Sequence, residues 1–138
     1  MHKFYYLYSL VFVFVMPATV SGWFVWDRIA LPQLAIFVIG ILALGTAWDI
    51  WATRHGKNDP VWLWAFNHKD TLGIRIYDLP IEEYLFYVAS SIYIVFLWEG
   101  IQYALETQNT AAGLILPCIA LWSVAFIALP YYLRKKKD

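Results

Sequence analysis

Charge is scarce in this sequence. Asp, Glu, Lys and Arg make up 14% of the 138 residues, about half the usual share. Ten acidic residues balance ten basic ones, so no bulk field gathers nucleic acid. A single cysteine, Cys118, excludes an internal disulfide and any multi-cysteine metal site. Glycines are few, and Gly40, Gly45 and Gly56 do not make a GxGxxG fingerprint. A phosphate-binding loop and an HExxH zinc pair are also missing, which excludes the commonest nucleotide and zinc enzymes. What fills the chain instead is apolar: 62% of residues, with eight Trp, ten Tyr and nine Phe. That excludes disorder, which needs low hydrophobicity and high charge. It also argues against a soluble domain, whose small surface leaves nowhere to hide so many large rings. The length suits one compact unit, residues 1–138,.

The few charges fall in narrow places. Residues 4–26, 29–48, 84–98 and 107–133 contain no Asp, Glu, Lys or Arg. A helix needs about 20 apolar residues to cross a hydrocarbon core. The pattern therefore predicts an all-α integral membrane bundle of about four transmembrane helices, near 4–24, 30–51, 80–103 and 112–133. The third charge-free run is the shortest, so that helix crosses fully only with Glu82, Glu83 or Glu99 at or inside an interface. The first segment also has a signal peptide's outline, with Met1-His2-Lys3 ahead and Val20-Ser21-Gly22 as a cleavage motif. Its apolar stretch of about 17 residues is too long for that role, and Pro17 and Trp23 flank its end; we read it as a spanning helix.

Basic residues orient the chain. Lys3 precedes the first helix, Arg54, Lys57, Lys69 and Arg75 lie between the second and third, and Arg134 to Lys137 follow the fourth. Only Arg28 lies on the other side. By the positive-inside rule both termini are cytoplasmic, and an even number of spans agrees in putting them on one side. The expected location is the cell membrane, multi-pass. The terminal basic run reads as a topology anchor. Gly40 and Gly45 miss GxxxG spacing by one residue, so they are weak evidence for a packing face.

The loop between the second and third helices, with its flanks, is the unusual part. It contains Trp48-Asp49-Ile50-Trp51, Arg54-His55-Gly56, Trp62-Leu63-Trp64-Ala65-Phe66-Asn67, Leu72-Gly73 and then Asp78-Leu79-Pro80-Ile81-Glu82-Glu83-Tyr84-Leu85-Phe86-Tyr87. Pro80 suits a helix start. The plainer account is a helix whose first-turn acids face the positive end of its dipole, beside an interfacial belt of Trp. Topology supports a sharper one. Asp49 ends one span and Glu82 and Glu83 begin the next on the same side, so three carboxyls share a depth, and acids inside a spanning region are functional candidates by default. Consecutive helical residues point about 100° apart, so a cooperating pair joins one glutamate to Asp49 across a helix interface.

Carboxyls beside aromatic rings in lipid suit protonation of an alkene. A carboxyl withdrawn from water can keep its proton near neutral pH and act as general acid, while a neighbour in a more polar setting stays ionised. Ring faces stabilise the resulting carbocation by about 2 kcal/mol each when desolvated. His55 and His68, without a third ligand nearby in sequence, give no metal site of familiar spacing. Ser90 and Ser91 read as packing contacts, because no His or Lys stands near to activate them.

At these residues the sequence resembles the lycopene cyclase domain family, small membrane proteins of the heterodimeric or fused type. The resemblance rests on Trp48-Asp49 closing a helix, the aromatic loop through Trp62 and Phe66-Asn67, Leu72-Gly73, and above all Leu79-Pro80-Ile81-Glu82-Glu83 followed by Tyr84-Leu85-Phe86-Tyr87. It runs roughly from residue 4 to 100. It implies an intramolecular lyase or isomerase of carotenoid biosynthesis, which closes the linear ends of lycopene to β-rings without net redox change. It carries the catalytic acids onto Glu82, Glu83 and Asp49. Trp48, Trp51, Trp62, Trp64, Tyr84, Phe86 and Tyr87 are the expected substrate-binding residues; no metal and no cofactor are evident. Expected partners are lycopene or a related polyene, the lipid bilayer and a second cyclase domain, as homodimer or heterodimer, with no nucleic acid. The chain carries one copy of a domain that such proteins use in pairs, so the alternative functions are a non-catalytic partner subunit and a membrane adaptor.

Overall fold

In lipid a backbone satisfies its own polar groups, and the helix does this within one segment. Each charge-free run of the sequence accordingly forms the body of a helix. The structure is a computed structural model that describes residues 4–56 and 71–135. Helix α1 runs over Tyr5–Arg28, α2 over Leu31–Gly56, α3 over Ile81–Thr107 and α4 over Thr110–Lys135. Among the described residues the only strands are β1, Arg75–Ile76, and β2, Leu79–Pro80, a two-rung antiparallel hairpin leading into α3. The fold is an all-α membrane helical bundle. Helices α1, α2 and α3 are each long and apolar enough to cross a membrane; the apolar part found for α4 is Thr110–Phe126.

Most helix ends lie beyond the sequence-based bounds, by up to a turn or so. Charge-free runs mark where water is absent, whereas a helix continues into polar residues while its hydrogen bonds are met. Thus α3 carries Glu82, Glu83, Glu99 and Glu106 within one element. Its start is set by Pro80, in extended conformation as N-cap, a residue before which a helix rarely extends. Its end is set by Gln108 in the left-handed region. The Asn109 side chain then caps α4, accepting the Ala112 N–H at 3.1 Å,.

Helix α3 is the hub: α1, α2 and α4 all pack on it, and α4 also packs on α1. The core of Ala18, Val25, Tyr93 and Phe96 lies between α1 and α3. Glycines let helices approach closely. A Cβ on Gly22 would lie 2.8 Å from the Phe96 ring, and one on Gly100 would lie 2.9 Å from Leu116.

The α1–α4 contact grows from a local defect in α1. Pro17 has no N–H to give to the previous turn. The preceding Val11–Val15 stretch widens to a π-helix, in which the Met16 N–H reaches Val11 O. That leaves Phe12 O without the Met16 donor, and Val13 O without the donor that Pro17 lacks. Side chains of α4 supply both: Trp122 Nε1 donates to Phe12 O at 3.2 Å and Ser123 Oγ to Val13 O at 3.0 Å.

The far ends of two helices are tied together. Arg28 at the end of α1 pairs with Glu106 at the end of α3, and its guanidinium lies over the Tyr103 ring, 5.8 Å from the centroid. At the other end, the start of α1, the end of α2 and the start of α3 meet.

Candidate active site

That second end gathers the acids. Asp49 is about two turns from the end of α2, and Glu82 and Glu83 occupy the first turn of α3. All three are buried, at 1%, 0% and 7% exposure. A carboxyl so withdrawn from water persists only with specific partners, and the three have different ones.

Glu82 faces the hairpin. Its Oε1 accepts the Leu72 N–H at 2.5 Å, and its Oε2 is a buried oxygen without a partner among the described residues. Thr71, Leu79 and Pro80 are buried around the same helix start. The hairpin is pinned further by the Ile81 N–H bond to Ile74 O at 3.0 Å, and by the Tyr84 hydroxyl, which donates to Ile76 O at 2.8 Å.

Glu83 faces the bundle. The Tyr6 hydroxyl, from α1, donates to its Oε2 at 2.7 Å. Asp49 has a phenol of its own: Tyr87, one turn after Glu83 on α3, donates to Asp49 Oδ2 at 2.7 Å. Glu83 lies within electrostatic reach of both Asp49 and Glu82. Two carboxyls from two helices, each held by a phenol, thus form one cluster with Glu82 at its edge. Tyr87 reaches Asp49 by lying against Gly45 of α2, where a Cβ would be 2.2 Å from the ring.

Aromatic rings continue from the cluster. Phe86 packs edge-on to Tyr87 at 5.3 Å and to Phe14 at 5.4 Å between centroids. At the same level, an apolar cavity of about 360 Å³ begins at Leu7 and Leu85 and follows α1 and α3 to Thr19 and Phe96. From Leu85 to Phe96 that is about 16 Å of helix.

A family model for lycopene cyclase matches residues 2–101. The chain belongs to the lycopene cyclase family. The matched region takes in α1, α2 and most of α3, hence all three acids and both phenols. Comparison with curated proteins and with solved structures gives no match. Membership supports a role related to carotenoid cyclisation, and the apolar helices fit a membrane protein with a polyene substrate.

Within the matched region the structure brings together Asp49, Glu82, Glu83, Phe86 and Tyr87. Trp48 and Trp51 are 56% and 48% exposed and pack against each other at 5.2 Å between centroids, with His55 against Trp51. Tyr84 braces the hairpin rather than the acid cluster. Trp62, Trp64, Phe66, Asn67 and His68 lie outside the described residues. Tyr6 is the residue that sequence reasoning missed. It sits among Tyr5 and Tyr8, which are exposed, and nothing in Tyr5-Tyr6-Leu7-Tyr8 marks it out except its place on the helix face that meets α3. Among the described residues, no three of His, Cys, Asp and Glu are placed to hold a metal ion together.

Proposed function

We propose that the chain cyclises the linear ends of lycopene to β-rings by acid catalysis at the Asp49–Glu82–Glu83 cluster. The observation that carries this reading is the meeting of three buried carboxyls from two helices inside the family-matched region. A carboxylic acid of α3 protonates the terminal double bond of the linear end. The tertiary cation is attacked by the double bond that closes a six-membered ring. A carboxylate, Asp49 or the second glutamate, removes a ring proton. One proton is gained and one lost, so the product is an isomer.

Burial serves both ends of this sequence. Water would quench the cation, and a dry site strengthens the attraction between cation and carboxylate. Phe86 and Tyr87 offer ring faces to the cation. The apolar groove along α1 and α3 suits the unreacted length of a polyene. The Trp residues of the α2–α3 loop complete the substrate contacts in this reading. Both termini lie on the cytoplasmic side with four spans, which puts the acid cluster near the inner leaflet, and the single domain works beside a second copy or a partner subunit.

Expression in lycopene-accumulating cells, alone and with a candidate partner subunit, tests the reading by pigment chromatography. We expect ring-bearing carotenoids from the wild-type chain and their loss in Glu83→Gln and Asp49→Asn. If Glu82→Gln, Glu83→Gln and Asp49→Asn all insert in the membrane and all cyclise at the wild-type rate, the reading is wrong.

A further inference from the structure

Donating a proton requires more than a carboxyl: the proton has to sit on the oxygen that faces the alkene. A carboxyl has two oxygens, and a neighbouring donor decides between them. Tyr6 Oη gives its hydrogen to Glu83 Oε2 at 2.7 Å. An oxygen that accepts a phenol hydrogen is the acceptor of that carboxyl, so in the acid form the carboxyl proton resides on Oε1. Hydrogen bonds from a phenol to a carboxylate are among the shorter and stronger ones, and this one joins residues 77 positions apart in the chain. The arrangement is repeated at Asp49, whose Oδ2 accepts from Tyr87. Glu82 has no phenol; its Oε1 is engaged by the Leu72 N–H.

We propose that Tyr6 is a positioning residue of the cyclisation, which holds Glu83 in one rotamer and directs its transferable proton to Oε1; this rests on the cyclase reading above. In the step it serves, the Oε1–H bond of Glu83 breaks and its electron pair stays on the carboxylate. The alkene π pair forms the new C–H bond and leaves the adjacent tertiary carbon positive. Tyr6 keeps its hydrogen bond to Oε2 throughout and stabilises the carboxylate left behind. Glu83 lies within electrostatic reach of Asp49 and Glu82, both acidic, so the phenol is the neutral donor that lets the anion form beside them. The ring proton released later passes to a base of the same cluster, and the substrate's proton count is unchanged.

The test uses the purified full chain in liposomes with lycopene, supplemented by a partner subunit if the wild-type chain needs one. Tyr6→Phe keeps the ring and removes one oxygen. The expected result is kcat lower by about 10- to 100-fold, with KM and protein yield unchanged and a melting temperature lowered only as far as the loss of one hydrogen bond requires. Tyr8→Phe, an exposed phenol on the same helix, keeps the wild-type kcat. Infrared spectroscopy gives a second readout independent of turnover. The carboxyl band that disappears in Glu83→Gln should shift in Tyr6→Phe and stay in place in Tyr8→Phe. A Tyr6→Phe chain with wild-type kcat and an unmoved band overturns the proposal. A wild-type chain that makes no ring under either condition overturns the cyclase reading, and the role of Tyr6 in it, on a separate measurement.

Discussion

At Gly45 a single hydrogen occupies space that a methyl group would take from Tyr87. The Tyr87 hydroxyl reaches Asp49 with its ring close against that bare stretch of α2. Gly45→Ala forces the ring away. We expect a loss of about 1–3 kcal/mol in detergent unfolding, as for other overpacked sites, together with slower cyclisation. Gly40→Ala is the control: its Cβ meets nothing within 4 Å, and both measurements should stay at the wild-type level. Residues of this kind divide sharply in how far they could be read in advance. Acids are rare in an apolar chain, so Asp49, Glu82 and Glu83 stood out by type and by the topology that put them at one depth. Tyr6 did not, because ten tyrosines share the chain and only the rotation of α1 against α3 selects one. The separate surroundings of Glu82 and Glu83 follow from their 100° offset, but which faces the hairpin and which the bundle depends on tertiary packing.

Among the elements, α1 depends on its neighbour for two hydrogen bonds that its own backbone cannot make. Ser123 sits at the centre of that exchange: its hydroxyl lies 3.0 Å from Val13 O and 3.1 Å from Tyr93 Oη. Ser123→Ala should lower stability by about 1 kcal/mol or more, since it leaves a buried carbonyl without its donor. The measurement is a thermal melt in detergent, and the ring-forming rate should change far less than in Glu83→Gln because Ser123 lies away from the acids. A helix interior resists a residue such as Pro17, but its local sequence does not say how the helix responds. A kink, a break and a π-widening are all open to the chain, and the choice is made by donors on α4. The hairpin was equally hidden. Its turn residues, Tyr77 and Asp78, both have positive φ, where Asn-Gly or Asp-Gly is the usual signal. Helix existence, by contrast, could be read from charge-free runs, because lipid leaves the backbone few alternatives.

For the whole molecule, the distribution of basic residues sets the two ends of the sequence's spans apart by charge. The structure adds what ties each end. At the end away from the acids, Arg28 and Glu106 pair across α1 and α3 at 32% and 58% side-chain exposure. So open an ion pair contributes less than about 1 kcal/mol. Glu106→Gln should therefore move the melting temperature only slightly and leave cyclisation unchanged. Stability resides instead in the apolar seams along α3, where Gly22, Gly100 and Gly45 let neighbours close in.

A bundle organised around one rod has little redundancy. The three other helices read their places from α3, so a bend introduced midway along it would misalign Tyr6, Asp49 and Ser123 together. Tolerance to mutation should accordingly be lowest along the spine and highest on the outward side of α2, where a changed side chain meets no second helix.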